Sequence, residues 1–335
     1  MLKLFQSIFG GKEQQGRYPE SLVEAAIERT VDGTDPRLRY LSGYRKQLRE
    51  AVIHAIDHVV ALVDSLPAPL AAGRSAYNGD TRLKAIFVSP EHMLEIYGND
   101  KVLSTFRDSP PAGAEHVTAL LLAERVDKHV LGMEMDGDML RRDVLQVAVN
   151  FSGHRLVDPT ASEEETRRQL KRRAFDHLLS LALMRITEVQ RERAELNQQR
   201  SLLWRKLNAL EHGGWNFNPA QGAAPEPASL QAELDEIERQ LAALGVDDRV
   251  LYAHLNIVAD LLKDAERQIW AEVTDMYLDR MNIQRDAQYA AATQIQLQEL
   301  HNARGRRLVM LLVSIPCGEL PERESYIDAA QRYLG

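Results

Sequence analysis

The sequence predicts an α+β protein: an antiparallel β-domain with an N-terminal helical region and a long antiparallel helical hairpin, coiled-coil-like, inserted into it. Three observations carry this. The run after Ser162 contains no proline or glycine until Gly213, and its apolar residues step by three and four. A second stripe with the same stepping follows a Gly/Pro/Ala loop. On either side of this pair lie segments rich in β-branched and aliphatic residues, with hairpin signals between them.

Residues 1–12 begin MLKLFQSIF, an amphipathic stretch with Leu2, Leu4, Phe5, Ile8 and Phe9 on its apolar side and Gly10-Gly11 as a stop. GGKEQQGR reads as a linker. Residues 17–75 form the helical region. Pro19 and Pro36 suit first-turn positions, and Asp35 is placed to cap before Pro36. The clearest helix is 44–66, where Leu48, Val52, Ile53, Ile56, Val59, Val60 and Val63 make one apolar face. Pro67 and Pro69 end it.

Residues 80–160 with 270–335 form the β-containing domain. Leu83–Val88 reads as a strand, and Ser89-Pro90 opens a short helix. Val117–Val126, His129–Met135 and Met139–Phe151 read as strands, with Asp136-Gly137 as a hairpin turn. Ser152-Gly153 turns the chain into a last short strand, Arg155–Val157. Val273–Ile283 reads as a strand, with a helix as the alternative. Gln294–His301 and Arg306–Ile315 flank a turn at Asn302–Gly305, and residues 322–334 make a terminal helix.

The hairpin takes residues 162–269. Ser162-Glu-Glu-Glu165 is a capping box, in which the serine side chain and the glutamate three residues on satisfy free amides. A helix from there to Gly213 would span ~75 Å at about 1.5 Å per residue. Its stripe includes Phe175, Leu179, Ala182, Ile186, Val189, Leu196, Leu203, Leu207 and Leu210. The tip loop is 213–228. Ser229 starts the return helix through Leu230, Leu234, Ile237, Leu241 and Leu244. Gly245 interrupts it and Asp247 restarts it. An excess of Arg and Lys on the first helix and of Asp and Glu on the second favours side-by-side antiparallel pairing.

The chain has 335 residues, 44% hydrophobic and 27% charged, with a formal net charge of −8. This acidic balance gives no general attraction to nucleic acid, which is not expected as a partner. A single cysteine, Cys317, excludes an internal disulfide and a CxxC zinc pair. No apolar run reaches membrane-span length and no signal-peptide pattern opens the chain, so a cytoplasmic protein is expected.

His54 and His58 stand four apart, a metal-compatible spacing, but opposite the apolar face of their helix and so toward water. Arg167, Arg168, Lys171, Arg172 and Arg173 form the densest basic cluster. It could grip phosphates, or be a solvated face paired with Glu163–Glu165. Trp215 and Phe217 sit in the tip loop, as partner contacts or as a plug over the last helical turn. Asp32–Asp35 and Asp136–Asp138 fit turn and cap chemistry rather than calcium binding. Cys317 fits a small buried residue rather than a nucleophile. No motif for a metal or cofactor is present, and none is expected as a ligand.

Three functions are compatible with these residues. In the first, a non-enzymatic interaction or scaffold protein uses the hairpin to bind a protein partner or a second copy. Trp215 and Phe217 make the contact, and Leu2, Leu4, Phe5, Ile8 and Phe9 can touch the inner membrane surface. In the second, an enzyme assembles its site from Glu91, His92, His116, Asp138, His154 and Asp158 of the β-domain. A cleft gathering two of these would favour it. In the third, the 167–173 cluster binds a phosphate backbone or phospholipid.

Overall fold

The computed structural model describes residues 18–108, 114–136, 139–212, 227–244 and 249–321. Helices α1 (Glu20–Gly33) and α2 (Tyr44–Asp64), then the short α3 (Arg74–Tyr77), α4 (Thr81–Ile86), α5 (Pro90–Asn99) and α6 (Lys101–Asp108), precede the main strands. After β1 (Leu70–Ala71), these are β2 (His116–Asp136) and β3 (Met139–Thr160). Three helices follow, α7 (Glu163–His212), α8 (Pro227–Ala243) and α9 (Val250–Lys263). The turn α10 (Ala265–Gln268) leads into β4 (Ile269–Leu278), β5 (Gln284–Arg285), β6 (Thr293–Asn302) and β7 (Arg307–Pro316). Among the described residues, a helical unit takes 18–57 and 175–265, and a sheet unit takes 58–174 and 266–321.

In the helical unit, α1 buries Leu22, Val23, Ala26, Ile27 and Val31, the face that helical spacing gathers on one side. Gly33 lies so near Leu179 of α7 that a Cβ there would meet its Cδ1 at 3.0 Å. Arg29 clasps the Asp176 carboxylate with both its Nε and its Nη2. Asp35 caps the short 3-10 helix Pro36–Tyr40, accepting from the Arg37 amide at 3.1 Å. Its other oxygen accepts a hydrogen bond from Nδ1 of His254 in α9, at 2.8 Å. Farther along α7, Leu196, Leu203 and Leu207 form a separate apolar seam with Leu230, Leu234, Ile237 and Leu241 of α8. Those positions repeat by threes, fours and sevens, so each helix presents one stripe to the other.

In the sheet unit the strand order is β3-β2-β7-β6-β4-β5, with β1 parallel to β7. All the other ladders are antiparallel. β7 is covered on both faces, which is why RLVMLLVSIP reads as a continuous apolar run rather than an alternation. On one face Val309, Leu311, Val313 and Ile315 pack with Ala119, Leu121, Leu297 and the helices α4–α6. On the other face Leu308, Met310 and Leu312 pack with Leu120, Leu122, Val63, Leu66 and Leu170. Beyond β5, Ile283 bridges back to Ala148 of β3, and the Val149 amide donates to the Asn282 carbonyl at 2.8 Å.

The structure corrects several expectations. Leu83–Val88 is not a strand. Asp80 accepts from the amides of Arg82 and Leu83 and starts α4, whose Leu83 and Ile86 then share one buried face. Val117–Val126 and His129–Met135 are one strand, β2, and Met139–Phe151 with Arg155–Val157 are one strand, β3. Val273–Ile283 is a strand only as far as Leu278, because Asp279 accepts from the amides of Met281 and Ile283 and turns the chain. His54 and His58 do not simply face water. Both are half-buried, and His58 Nε2 donates to the Ile269 carbonyl at 2.7 Å. The terminal helix expected at 322–334 lies outside the described residues.

Tyr97 of α5 gives a stability prediction. Its ring is fully buried, its hydroxyl has no hydrogen-bond partner among the described residues, and burial pushes the phenol well above its usual range. A buried unpaired hydroxyl costs free energy that phenylalanine would not. Tyr97→Phe should therefore leave stability unchanged or raise it by about 1 kcal/mol in urea unfolding. A loss of 1 kcal/mol or more would mean that the hydroxyl has a partner.

Candidate functional site

Two bulges shape the β3 segment that matters most. The β2–β3 register runs Thr118↔Thr160, Leu120↔Val157, Leu122↔Arg155 and Glu124↔Ser152. Gly153 and His154 thus stand against Ala123 alone, and Asp158 and Pro159 against Ala119 alone. Gly153 (φ 62°) and Asp158 (φ 49°) take the left-handed conformation that these bulges require. Arg155–Val157 is the short ladder between them. Arg173 locks the second bulge, placing Nε and Nη2 at 2.7 and 2.6 Å from the two Asp158 oxygens.

Opposite this segment stands the corner between α5 and α6. Ser89 caps α5 by accepting from the His92 amide at 3.1 Å, which fixes His92 in the first turn. Asp100 caps α6, accepting from the amides of Val102 and Leu103, both at 2.9 Å. Its second oxygen accepts from the Leu156 amide at 2.9 Å, so one carboxylate pins the helix corner to the bulged strand.

Between them is a cavity of about 820 Å³, lined by His92, Glu95, Asp100, Lys101, His154, Arg155 and Arg173, with Ile96, Leu122, Leu156 and Val157 also in its wall. Its volume and mixed lining suit a small molecule. The two imidazoles meet edge to face, 6.1 Å between centroids. Phe87 stacks on His154 at 5.1 Å and meets Tyr97 edge-on at 5.7 Å, tying the pair to the core. His154 Nε2 lies 3.1 Å from the Ile86 carbonyl, which can only accept, so this nitrogen carries the proton. Burial, with the neighbouring His92 adding to it, holds the His154 pKa below its ordinary value despite that bond, which favours the neutral ring. His92 Nδ1 accepts from the Val88 amide at 3.4 Å.

The charges are uneven. Lys101, Arg155 and Arg173 line the cavity against two carboxylates, and Asp100 is already committed to three amides. Lys101 and Arg155 make no ion pair among the described residues. The α6 N-terminus adds partial positive charge at the same corner.

Of the residues singled out in the sequence, His92 and His154 converge on this cavity, with Asp158 behind Arg173. Glu91 is exposed, 3.9 Å from Arg74, and His116 is exposed at the start of β2. Asp138, Trp215, Phe217, Leu2, Leu4, Phe5, Ile8 and Phe9 lie outside the described residues. Within the basic cluster, Arg167 bonds Glu163 and the carbonyls of Val63, Leu66 and Pro67. Arg168 pairs with Glu164 and Glu165, and Lys171 with Asp64 at 2.8 Å. Arg172 is half-buried. Cys317 packs against the core, and burial pushes its thiol up, away from a reactive thiolate. Asp100, Lys101 and Arg155 carried no signal of their own; only the Ser152-Gly153 turn marked their surroundings.

Among the described residues no group of three or more His, Cys, Asp or Glu is arranged to hold a metal ion. Nor is any described helix long and apolar enough to cross a membrane. Comparison with known protein families, with curated proteins and with solved structures finds no match for this chain.

Proposed function

We propose that the sheet unit binds a small organic anion in the cavity between the α5–α6 corner and the bulged stretch of β3. One observation carries this: Lys101 and Arg155, without ion-pair partners among the described residues, line the same cavity alongside apolar side chains, in a chain whose net charge is −8. Cationic groups left unneutralised at a concave site attract anions, and the apolar part of the lining favours an organic body over a bare ion. Titration of succinate, L-malate, citrate and inorganic phosphate into the full chain tests it. At least one carboxylate ligand should raise the melting temperature with a saturable concentration dependence. No shift from any of them, at concentrations up to tens of millimolar, would end the proposal.

The apolar seam between α7 and α8 favours a second role, an arm that binds a protein partner or a second copy. The seam keeps that part of the hairpin folded through its own leucines. Replacing residues 193–244 by a short Gly/Ser loop should then leave a cooperative melt and cavity binding intact, while removing self-association measured by sedimentation equilibrium. Trp215→Ala with Phe217→Ala should weaken the same association without moving the melt. A chain that sediments as a monomer at all concentrations would remove self-association from this role.

A further inference from the structure

The two imidazoles say more about the ligand than its charge. The backbone of Ile86–Val88 takes one nitrogen from each ring: the Ile86 carbonyl takes His154 Nε2, and the Val88 amide takes His92 Nδ1. These partners have opposite polarity, so they set opposite tautomers. A carbonyl only accepts, which places the His154 proton on Nε2 and leaves Nδ1 as a lone pair. An amide N–H only donates, which makes Nδ1 of neutral His92 the lone pair and leaves Nε2–H as a donor. Both residues line the cavity, one with an acceptor nitrogen to spare and the other with a donor.

The spacing lets a single oxygen use both. A ring nitrogen sits roughly 1.2 Å from its centroid, and a hydrogen bond adds about 2.8 Å, so an oxygen bound to either ring lies ~4 Å from that centroid. Two rings can share one oxygen only if their centroids are closer than about 8 Å by that sum. Here they are 6.1 Å apart, inside that limit, and meet edge to face. A group that accepts and donates through one atom is a hydroxyl. A carboxylate oxygen would meet the His154 lone pair unfavourably, and an ammonium could not accept from His92.

We propose that the ligand of this cavity is a hydroxyl-bearing organic anion, its acid group held by Lys101 and Arg155 and its hydroxyl held between His154 Nδ1 and His92 Nε2–H. This rests on the anion reading above and narrows it to hydroxy-carboxylates and hydroxyalkyl phosphates. Their shared chemistry is an acid group with an alcohol oxygen. The neutral state of His154, favoured by its burial, keeps the acceptor in place at neutral pH.

Matched pairs that differ by one hydroxyl test it by calorimetry on the full chain at pH 8: L-malate against succinate, L-lactate against propionate, and glycerol 3-phosphate against propyl phosphate. In at least one pair the hydroxyl member should bind at least about tenfold tighter, because its absence leaves two polar nitrogens unpaired in the complex. The carboxylate and phosphate pairs separate the two acid classes. The advantage should fall to under about twofold in His154→Phe and in His92→Phe, while binding of the deoxy member is retained. His92→Leu serves where the phenylalanine variants melt early, since leucine removes both ring nitrogens while keeping an apolar contact for Phe87, which His92 meets edge-on at 6.3 Å. Members of every pair binding within twofold of each other would overturn this inference and leave the anion site standing. No binding by any member would overturn both.

Discussion

Asp35→Ala is expected to destabilise the helical unit by about 2–3 kcal/mol, the cost of a lost helix cap together with a buried polar partner left unpaired. Asp35 does three things at once: it caps the Pro36–Tyr40 helix, pairs with the Arg37 guanidinium at 2.8 Å and receives the His254 proton at 2.8 Å. His254 is 1% exposed, so the alanine variant leaves an imidazole N–H with neither acceptor nor water. Asp35→Asn keeps an acceptor oxygen and should cost about half as much. The pH dependence follows from the direction of the shift. Its contacts, the Arg37 guanidinium first among them, hold the Asp35 carboxyl at about 2, below its ordinary 3.8. The folded state therefore binds this proton less readily than the unfolded state. The stabilisation is complete above about pH 4 and is lost as pH falls toward 2. The gap between wild type and Asp35→Asn in urea midpoint should narrow over that window. A gap that stays constant from pH 5 to pH 2 would show that the carboxylate's charge contributes nothing.

The second large effect concerns the cavity. Lys101→Glu with Arg155→Glu reverses two cations and should reduce the affinity for any organic anion by at least about a hundredfold, roughly 1.4 kcal/mol for each reversed charge. Both side chains are exposed and neither is in an ion pair among the described residues, so the melting temperature of the unliganded variant should change little. Arg173 is a different case. It holds the Asp158 bulge, and Arg173→Glu is expected to lower stability as well as binding. Equal affinity in the wild type and the double variant would place anion binding elsewhere on the molecule.

How far the sequence foretold these features depends on the distance over which each is determined. Local rules worked where the determinant was local. Asp35 before Pro36, Ser89 before Pro90 and Ser162 before Glu165 all accept from amides that helix starts leave open, although the Ser162 amide donates to Thr160 Oγ1 rather than to Glu165, so the expected capping box is only half formed. The long apolar stepping of α7 and its return helix was equally plain. Leu83–Val88 misled because a short apolar run fits either element, and the deciding residue, Asp80, lies outside the run. Ser152-Gly153 looks like a chain turn. In the structure Gly153 sits in a left-handed bulge that the ladder passes over, and a second bulge follows at Asp158, so β3 continues where the sequence suggested a turn.

The site was half visible. His92 and His154 belonged to the candidate set by residue type alone. What joins them is the Ile86–Val88 segment, with its carbonyl, its amide and the Phe87 ring between. No spacing rule encodes that. Lys101 and Arg155 were not legible, since a lone surface cation in sequence resembles every other. Arg173 was legible only as one of a basic run, in which Arg167 reaches the Val63 carbonyl and Glu163, Arg168 pairs with Glu165 and Lys171 pairs with Asp64. Asp35 and His254, 219 residues apart, belong to the same class of contact, set by packing and not by pattern.

The central claim is that an organic anion binds at the α5–α6 corner against the bulged strand. The most direct measurement is nitrogen-15 NMR of the histidine rings during titration with L-malate. The ring nitrogens of His92 and His154 should shift with a common saturable midpoint, while those of His116, at the start of β2, and His254, buried beside Asp35, stay where they are. Shifts confined to His116 or His254, or no ring shift at malate concentrations that saturate the calorimetric signal, would contradict the account.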